Sequence, residues 1–173
     1  MHPRLTLVIG GAAAGKSVHA ERMVATSGLA PVYIATAQAL DDEMRAKIGI
    51  HIARRGPDWI THECPLDPAP VLAAMTPAQM GLFDCATLWL SNMLLADCDL
   101  DRAQAALLDA MRACRAPLVV VSNEVGLGIV PDNALARRFR EAQGRLNIEL
   151  AAQADRVVQV VAGLPMALKG GDR

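Results

Sequence analysis

The sequence predicts a three-layer α/β domain built on a mostly parallel sheet. Three observations carry that expectation. Apolar runs of strand length alternate with amphipathic stretches of helix length. The first run, Leu5 to Ile9, is apolar at every position, as expected for a strand buried on both faces of a parallel sheet. That run leads through a glycine-rich stretch directly into a helical segment.

The elements follow in order. Leu5 to Ile9 is a strand and Lys16 to Val24 a helix. Pro31 to Ala35 is a second short strand. Asp41 to Arg54 reads as a helix whose Asp41, Asp42 and Glu43 suit its positive N-terminal end. Trp59 to Glu63 is a short strand bounded by Gly56-Pro57 and Pro65. The proline-rich stretch from Cys64 to Pro77 is expected to be a surface excursion. Met80 to Asp84 is a strand, followed by helices over Leu88 to Leu95 and Asp101 to Cys114. Leu118 to Ser122 is a β-branched strand. A long helix begins near Asp132, with Leu135, Phe139, Ala142, Leu146 and Leu150 at helical spacing. Arg156 to Ala162 closes the series as a strand, and Lys169 to Arg173 is expected to be a mobile tail.

Composition bounds the function. The 173 residues suit one domain, 1–173, and 53% of them are hydrophobic, so a sizeable core can form. A net charge of -1 supplies no broad basic face, which argues against nucleic acid as a partner. Cys64, Cys85, Cys98 and Cys114 form no Cys-x-x-Cys pair and no zinc-like cluster, and they read as thiols in a reducing compartment. The apolar runs are too short to span a membrane, and the N-terminus lacks a signal-peptide layout. A soluble cytoplasmic protein is expected.

The strongest motif is Gly10-Gly11-Ala12-Ala13-Ala14-Gly15-Lys16-Ser17. It fits G-x-x-x-x-G-K-[ST], directly after a strand and before a helix. In such a phosphate loop, glycines let the backbone turn its N–H groups toward phosphate oxygens, and the helix N-terminus adds a positive dipole. Lys16 would reach the β- and γ-phosphates, and Ser17 would ligate Mg²⁺. A chance match in a chain this long is on the order of 1%. The expected fold is therefore P-loop NTPase-type and RecA-like. Asp84, at the end of its strand, is placed to help hold Mg²⁺ or orient its water, to cap the helix that follows, or to do both. No Asn-Lys-x-Asp segment is present, which argues against a Ras-like GTPase; Asn123-Glu124 is the nearest approach.

His51 lies at the edge of a stripe formed by Met44, Ile48, Ile52 and Arg55, close to Arg45, Lys47 and Arg54. Spacing allows two readings. One is a packed histidine with a single hydrogen bond. The other is a nucleophile for an α-phosphorus, with guanidinium groups stabilising the developing charge.

Four segments together resemble a known family, the bifunctional adenosylcobinamide kinase/adenosylcobinamide-phosphate guanylyltransferases of cobalamin biosynthesis. They are Gly10 to Ser17; Tyr33 to Ala37 with Asp41 to Arg55; Asp84 to Asn92; and Ser122 to Asn133, continuing through Ala136 to Arg140 and Gly144 to Asn147. The resemblance implies phosphorylation of the aminopropanol hydroxyl of a corrinoid by ATP or GTP. It implies a second step in which GMP passes from GTP to that phosphate through a guanylylated histidine, with pyrophosphate released. The family histidine falls on His51. Nucleotide contacts fall on Gly10, Gly11, Ala12, Ala13, Ala14, Gly15, Lys16 and Ser17; on Ala35, Thr36 and Ala37; on Ile52, Ala53, Arg54 and Arg55; and on Glu63 and Asp84. A homotrimer is also implied.

The chain departs from the family loop, Gly-Gly-Ala-Arg-Ser-Gly-Lys-Ser, at Ala13 and Ala14. A backbone cradle tolerates alanine, but a guanidinium near the phosphates is lost, and a step that uses it would slow. Two other readings stay open: a small-molecule kinase that never modifies His51, and a nucleotide-binding regulatory module that binds without turnover.

Overall fold

The computed structural model describes residues 2–38, 49 and 55–171. The first apolar run forms β1 (Leu5–Gly10), and the glycine-rich stretch leads into α1 (Lys16–Ala25). β2 (Ala30–Ala35) and β3 (Ile60–Glu63) follow, then α2 (Ala69–Ala74) and β4 (Gln79–Asp84). Two helices, α3 (Ala86–Leu95) and α4 (Leu100–Ala113), lead to β5 (Leu118–Asn123). The long helix α5 (Ala134–Gln153) precedes β6 (Arg156–Val161) and β7 (Leu164–Lys169). The helix expected over Asp41 to Arg54 lies almost entirely outside the described residues.

The sheet has seven strands in the order β3-β2-β4-β5-β1-β6-β7. Every neighbouring pair is parallel except β6 with β7. Strand periodicity sorts the core into two layers, because successive side chains point to opposite faces. Leu5, Leu7, Val32, Ile34, Phe83, Leu118, Val120 and Val157 pack with α3, α4 and α5 on one face. Val8, Tyr33, Leu82, Val119, Val121, Val158 and Val160 pack with Ala20 and Val24 of α1 on the other. Burial on both faces explains why the central strands read as unbroken apolar runs rather than as alternation.

Three expectations are corrected. The stretch from Cys64 to Pro77 is not a surface excursion: it contains α2, and Cys64, Leu72 and Met75 are all buried in the core. The strand from Arg156 does not close the series. Ala162 and Gly163, both with positive φ (51° and 79°), turn the chain back into β7 as a two-residue hairpin. Lys169 is therefore no mobile tail; its ammonium donates to the carbonyls of Ala151 and Ala152 at the C-terminal end of α5. Within α5, Leu135 stands 54% exposed, so the buried stripe begins one turn later than its spacing suggests.

Candidate nucleotide-binding site

The phosphate-loop residues lie at the C-terminal end of the parallel sheet, the end where open α/β sheets bind ligands. α4 and α5 are capped by their own side chains: Asp99 accepts from the Arg102 N–H and Asn133 from the Ala136 N–H. α1 has no side-chain cap and no acidic residue in its first turn; its N-cap is Gly15, at φ 97°. Its first N–H groups thus remain available to an anion, reinforced by the helix dipole.

The loop is held from below. A Cβ at Gly10 would collide with the Val160 carbonyl oxygen of β6. A Cβ at Gly15 would come 3.2 Å from the Gly163 Cα, with φ in the left-handed region as well. The Gly163 N–H donates to the Ala14 carbonyl at 2.9 Å, so the β6–β7 turn forms part of the loop's floor. Ala13 sits at φ 56°, an uncommon conformation for a residue with a Cβ. Ala13 and Ala14 therefore stand on loop backbone, held in part by the Gly163 N–H on the Ala14 carbonyl.

Lys16 is 6% exposed, and its ammonium donates to the Gly11 carbonyl at 2.6 Å, curling back over the loop. Burial pulls its pKa below the ordinary lysine value, while Cys85 and Asp84 act the other way. Ser17 follows it on the first turn of α1, half-buried.

The acidic side comes from β2, β3 and β4. The register places Ala35 between Glu63 on β3 and Asp84 on β4, so these three expected site residues lie side by side at one end of the sheet. Glu63 is exposed on the edge strand. The Tyr33 hydroxyl donates to Asp84 Oδ2 at 3.2 Å. Burial pushes the Tyr33 phenol well above its usual pKa, with the Asp84 charge adding to it, so the group stays protonated and a donor. Ser17 and Asp84 are both hard oxygen donors, the set Mg²⁺ prefers. The Cys85 thiol is pushed up to about 12 by desolvation, and its sulfur accepts from the Leu88 N–H at 3.4 Å, so Cys85 rather than Asp84 caps α3.

Thr36 is fully buried. Its hydroxyl donates to the Cys85 carbonyl at 2.9 Å and accepts from the Cys85 N–H at 2.8 Å. Asn92 on α3 donates to the carbonyls of Thr36 and Pro65, tying the ends of β2 and β3 together. The side chain of Thr36 is thus committed to the frame, and Ala35 and Ala37, both half-buried, flank it. Arg55 is described, with its side chain 3% exposed, its guanidinium 3.4 Å from the Tyr33 ring centroid and 4.0 Å from Glu21 Oε1. His51, Ile52, Ala53 and Arg54 lie outside the described residues.

A second connection borders the loop. β5 pairs with β1 so that Asn123 lies opposite Gly10, and the Glu124 N–H donates to the Gly10 carbonyl at 3.0 Å. Below it, Ser122, Gln143 and Asn147 form a buried hydrogen-bonded triangle, and Asn147 also donates to the Asn123 carbonyl. Arg140 donates to the carbonyls of Gly126 and Ile129, and Arg137 to those of Pro131 and Asp132. Sequence reasoning missed these straps and the Tyr33–Arg55 stack. Arg137, Arg140 and Tyr33 stood within the segments that carry the family resemblance, with no role assigned to them.

A cleft of about 420 Å³ near Arg4, Met111, Arg112 and Gln153 opens at the start of β1, and it shares no residue with the phosphate loop. The loop itself is an open backbone cradle, and the motif and the uncapped helix locate the chemistry better than concavity does.

Comparison with known proteins accords with this geometry. A Pseudomonas aeruginosa protein, "Bifunctional adenosylcobalamin biosynthesis protein CobP", is 48% identical over 167 residues, covering 95% of this chain and 96% of the relative. A Salmonella typhimurium protein, "Bifunctional adenosylcobalamin biosynthesis protein CobU", is 41% identical over 184 residues, covering 95% of this chain and 99% of the relative. Among solved structures, an ATPase of a bacterial type III secretion system superposes with a TM-score of 0.58 at 9% identity, over 95% of this chain and 56% of that one. That likeness concerns the fold alone. The family model described as "Cobinamide kinase / cobinamide phosphate guanyltransferase" matches residues 6–168. The chain belongs to that family.

Proposed function

We propose that the protein phosphorylates the aminopropanol hydroxyl of adenosylcobinamide with ATP or GTP, and then transfers GMP from GTP to the new phosphate. The observation that carries this reading is the uncapped N-terminus of α1 beneath a Gly10–Ser17 loop, in a chain the family model matches over residues 6–168. In the first reaction the acceptor hydroxyl oxygen attacks the γ-phosphorus. The bond from that phosphorus to the β–γ bridging oxygen breaks, the nucleoside diphosphate leaves, and the hydroxyl proton passes to solvent. The loop N–H groups and Lys16 hold the phosphates and offset charge as it shifts to the leaving oxygen. Ser17 and Asp84 would hold Mg²⁺, which when bound neutralises phosphate charge.

In the second reaction a His51 ring nitrogen attacks the α-phosphorus of GTP. A P–N bond forms and pyrophosphate leaves. An oxygen of the corrinoid phosphate then attacks the same phosphorus, the P–N bond breaks, and the product is adenosylcobinamide-GDP. The reading places the enzyme in the cytoplasm as a homotrimer, as the family resemblance implies.

Purified protein incubated with adenosylcobinamide, Mg²⁺ and GTP tests it, with products separated by chromatography. Adenosylcobinamide phosphate followed by the GDP derivative is the expected result. A reaction that stops at the phosphate leaves only a kinase, and nucleotide binding with neither product leaves a regulatory module.

A further inference from the structure

Tyr33 stands at a junction that the two reactions do not by themselves explain. The β2–β4 register pairs it with Leu82, so Asp84 lies two residues further along the neighbouring strand, on the same face of the sheet. The ring is 8% exposed and held on two sides. The Arg55 guanidinium lies 3.4 Å from its centroid, and Trp59 meets it edge-on at 6.3 Å and 75°. Only the hydroxyl reaches the site, and it donates to Asp84 Oδ2 at 3.2 Å. A phenylalanine would fill the same space, keep both ring contacts and spare the cost of burying a hydroxyl.

We infer that Tyr33 is a positioning residue for phosphoryl transfer: its clamped hydroxyl fixes the rotation of the Asp84 carboxylate toward the phosphate site. The inference rests on the reading of Asp84 as the acid of that site. A carboxylate with one oxygen held does not have to be ordered again when the nucleotide and its cation arrive. Arg55 lies against the ring and also interacts with the hydroxyl, which keeps that hydroxyl aimed along β2 toward Asp84.

The test is a cycle of Tyr33→Phe, Asp84→Asn and the double variant, followed by kinase kcat and KM and by nucleotide affinity from calorimetry. Tyr33→Phe is expected to lower kcat about 10-fold, the scale of one hydrogen bond to a charged group, with the melting temperature unchanged. Nucleotide affinity should weaken with Mg²⁺ present and stay the same in EDTA. In the Asp84→Asn background the Phe substitution should add less than about 2-fold, because the two groups act as one. An unchanged kcat in Tyr33→Phe, or an equal loss in both backgrounds, overturns the inference and leaves Tyr33 as packing. Full kinase activity in Asp84→Asn overturns the reading of Asp84 itself, and the inference with it.

Discussion

The β1–α1 and β5–α5 connections start side by side, with Gly10 opposite Asn123, yet they are built in opposite ways. After β1 the chain enters its helix without a side-chain cap, leaving N–H groups to an outside anion. After β5 it spends its own side chains on its backbone. Glu124 accepts from the Gly126 N–H, Arg137 and Arg140 cover carbonyls, and Asn133 caps α5. One connection keeps its polar backbone for a ligand. The other is satisfied internally and turns Leu127, Ile129 and Val130 outward, at 86%, 96% and 67% exposure. The contrast teaches that a binding loop is marked by what its helix end lacks as much as by its glycines.

The largest expected effect is on the first connection. Lys16→Ala should cut the kinase rate at least about 100-fold, the scale of one lost transition-state donor, with the circular dichroism spectrum retained. Asn147→Leu probes the support under the second. It removes the acceptor that Ser122 and Gln143 share and the donor to the Asn123 carbonyl, leaving the Gln143–Ser122 bond, and should cost about 2–3 kcal/mol in urea unfolding, with kcat per folded molecule nearly kept. A large kcat loss without a stability loss would erase the distinction between the two connections. Asn133→Ala removes a cap from one helix that has one, and should cost about 1 kcal/mol with no change in nucleotide affinity.

The smallest effect is one of pH. Lys16 has a lowered pKa in the folded protein, so below that lowered value both states hold the proton and folding bears the cost of burying the charge. As pH rises through the lowered value toward 10.5, the folded protein releases a proton that the unfolded chain keeps, and stability rises. Lys16→Met should therefore be more stable than wild type below the lowered value in urea titrations, with the gap narrowing as pH rises through it.

Much of this was legible in the sequence, for identifiable reasons. Central strands such as Leu118–Asn123 are β-branched and buried on both faces, so they announce themselves. β7 did not, since Leu164-Pro165-Met166-Ala167-Leu168-Lys169 has no β-branched residue, carries a proline and is exposed throughout. Its hairpin signal was only Ala162-Gly163, where the alanine occupies a position that asparagine or glycine usually fills. α2 is six residues long with proline at its second position, too short for a helical period to show. At the site, the phosphate loop was readable because its function fixes residue types. The framing roles of Thr36, expected as a nucleotide contact, and of Asn92 were not, because their side chains bond backbone carbonyls that no sequence pattern specifies.

The most direct test of the account is to incubate the protein with Mg²⁺ and GTP labelled at the α-phosphate, denature it, and look for label, with His51→Ala beside it. An acid-labile, alkali-stable adduct on the wild type and none on the variant is the predicted result. Equal labelling of both would contradict guanylylation at His51 and put the adduct on another residue, and no label where GTP binds would leave the phosphate loop as the seat of a kinase alone.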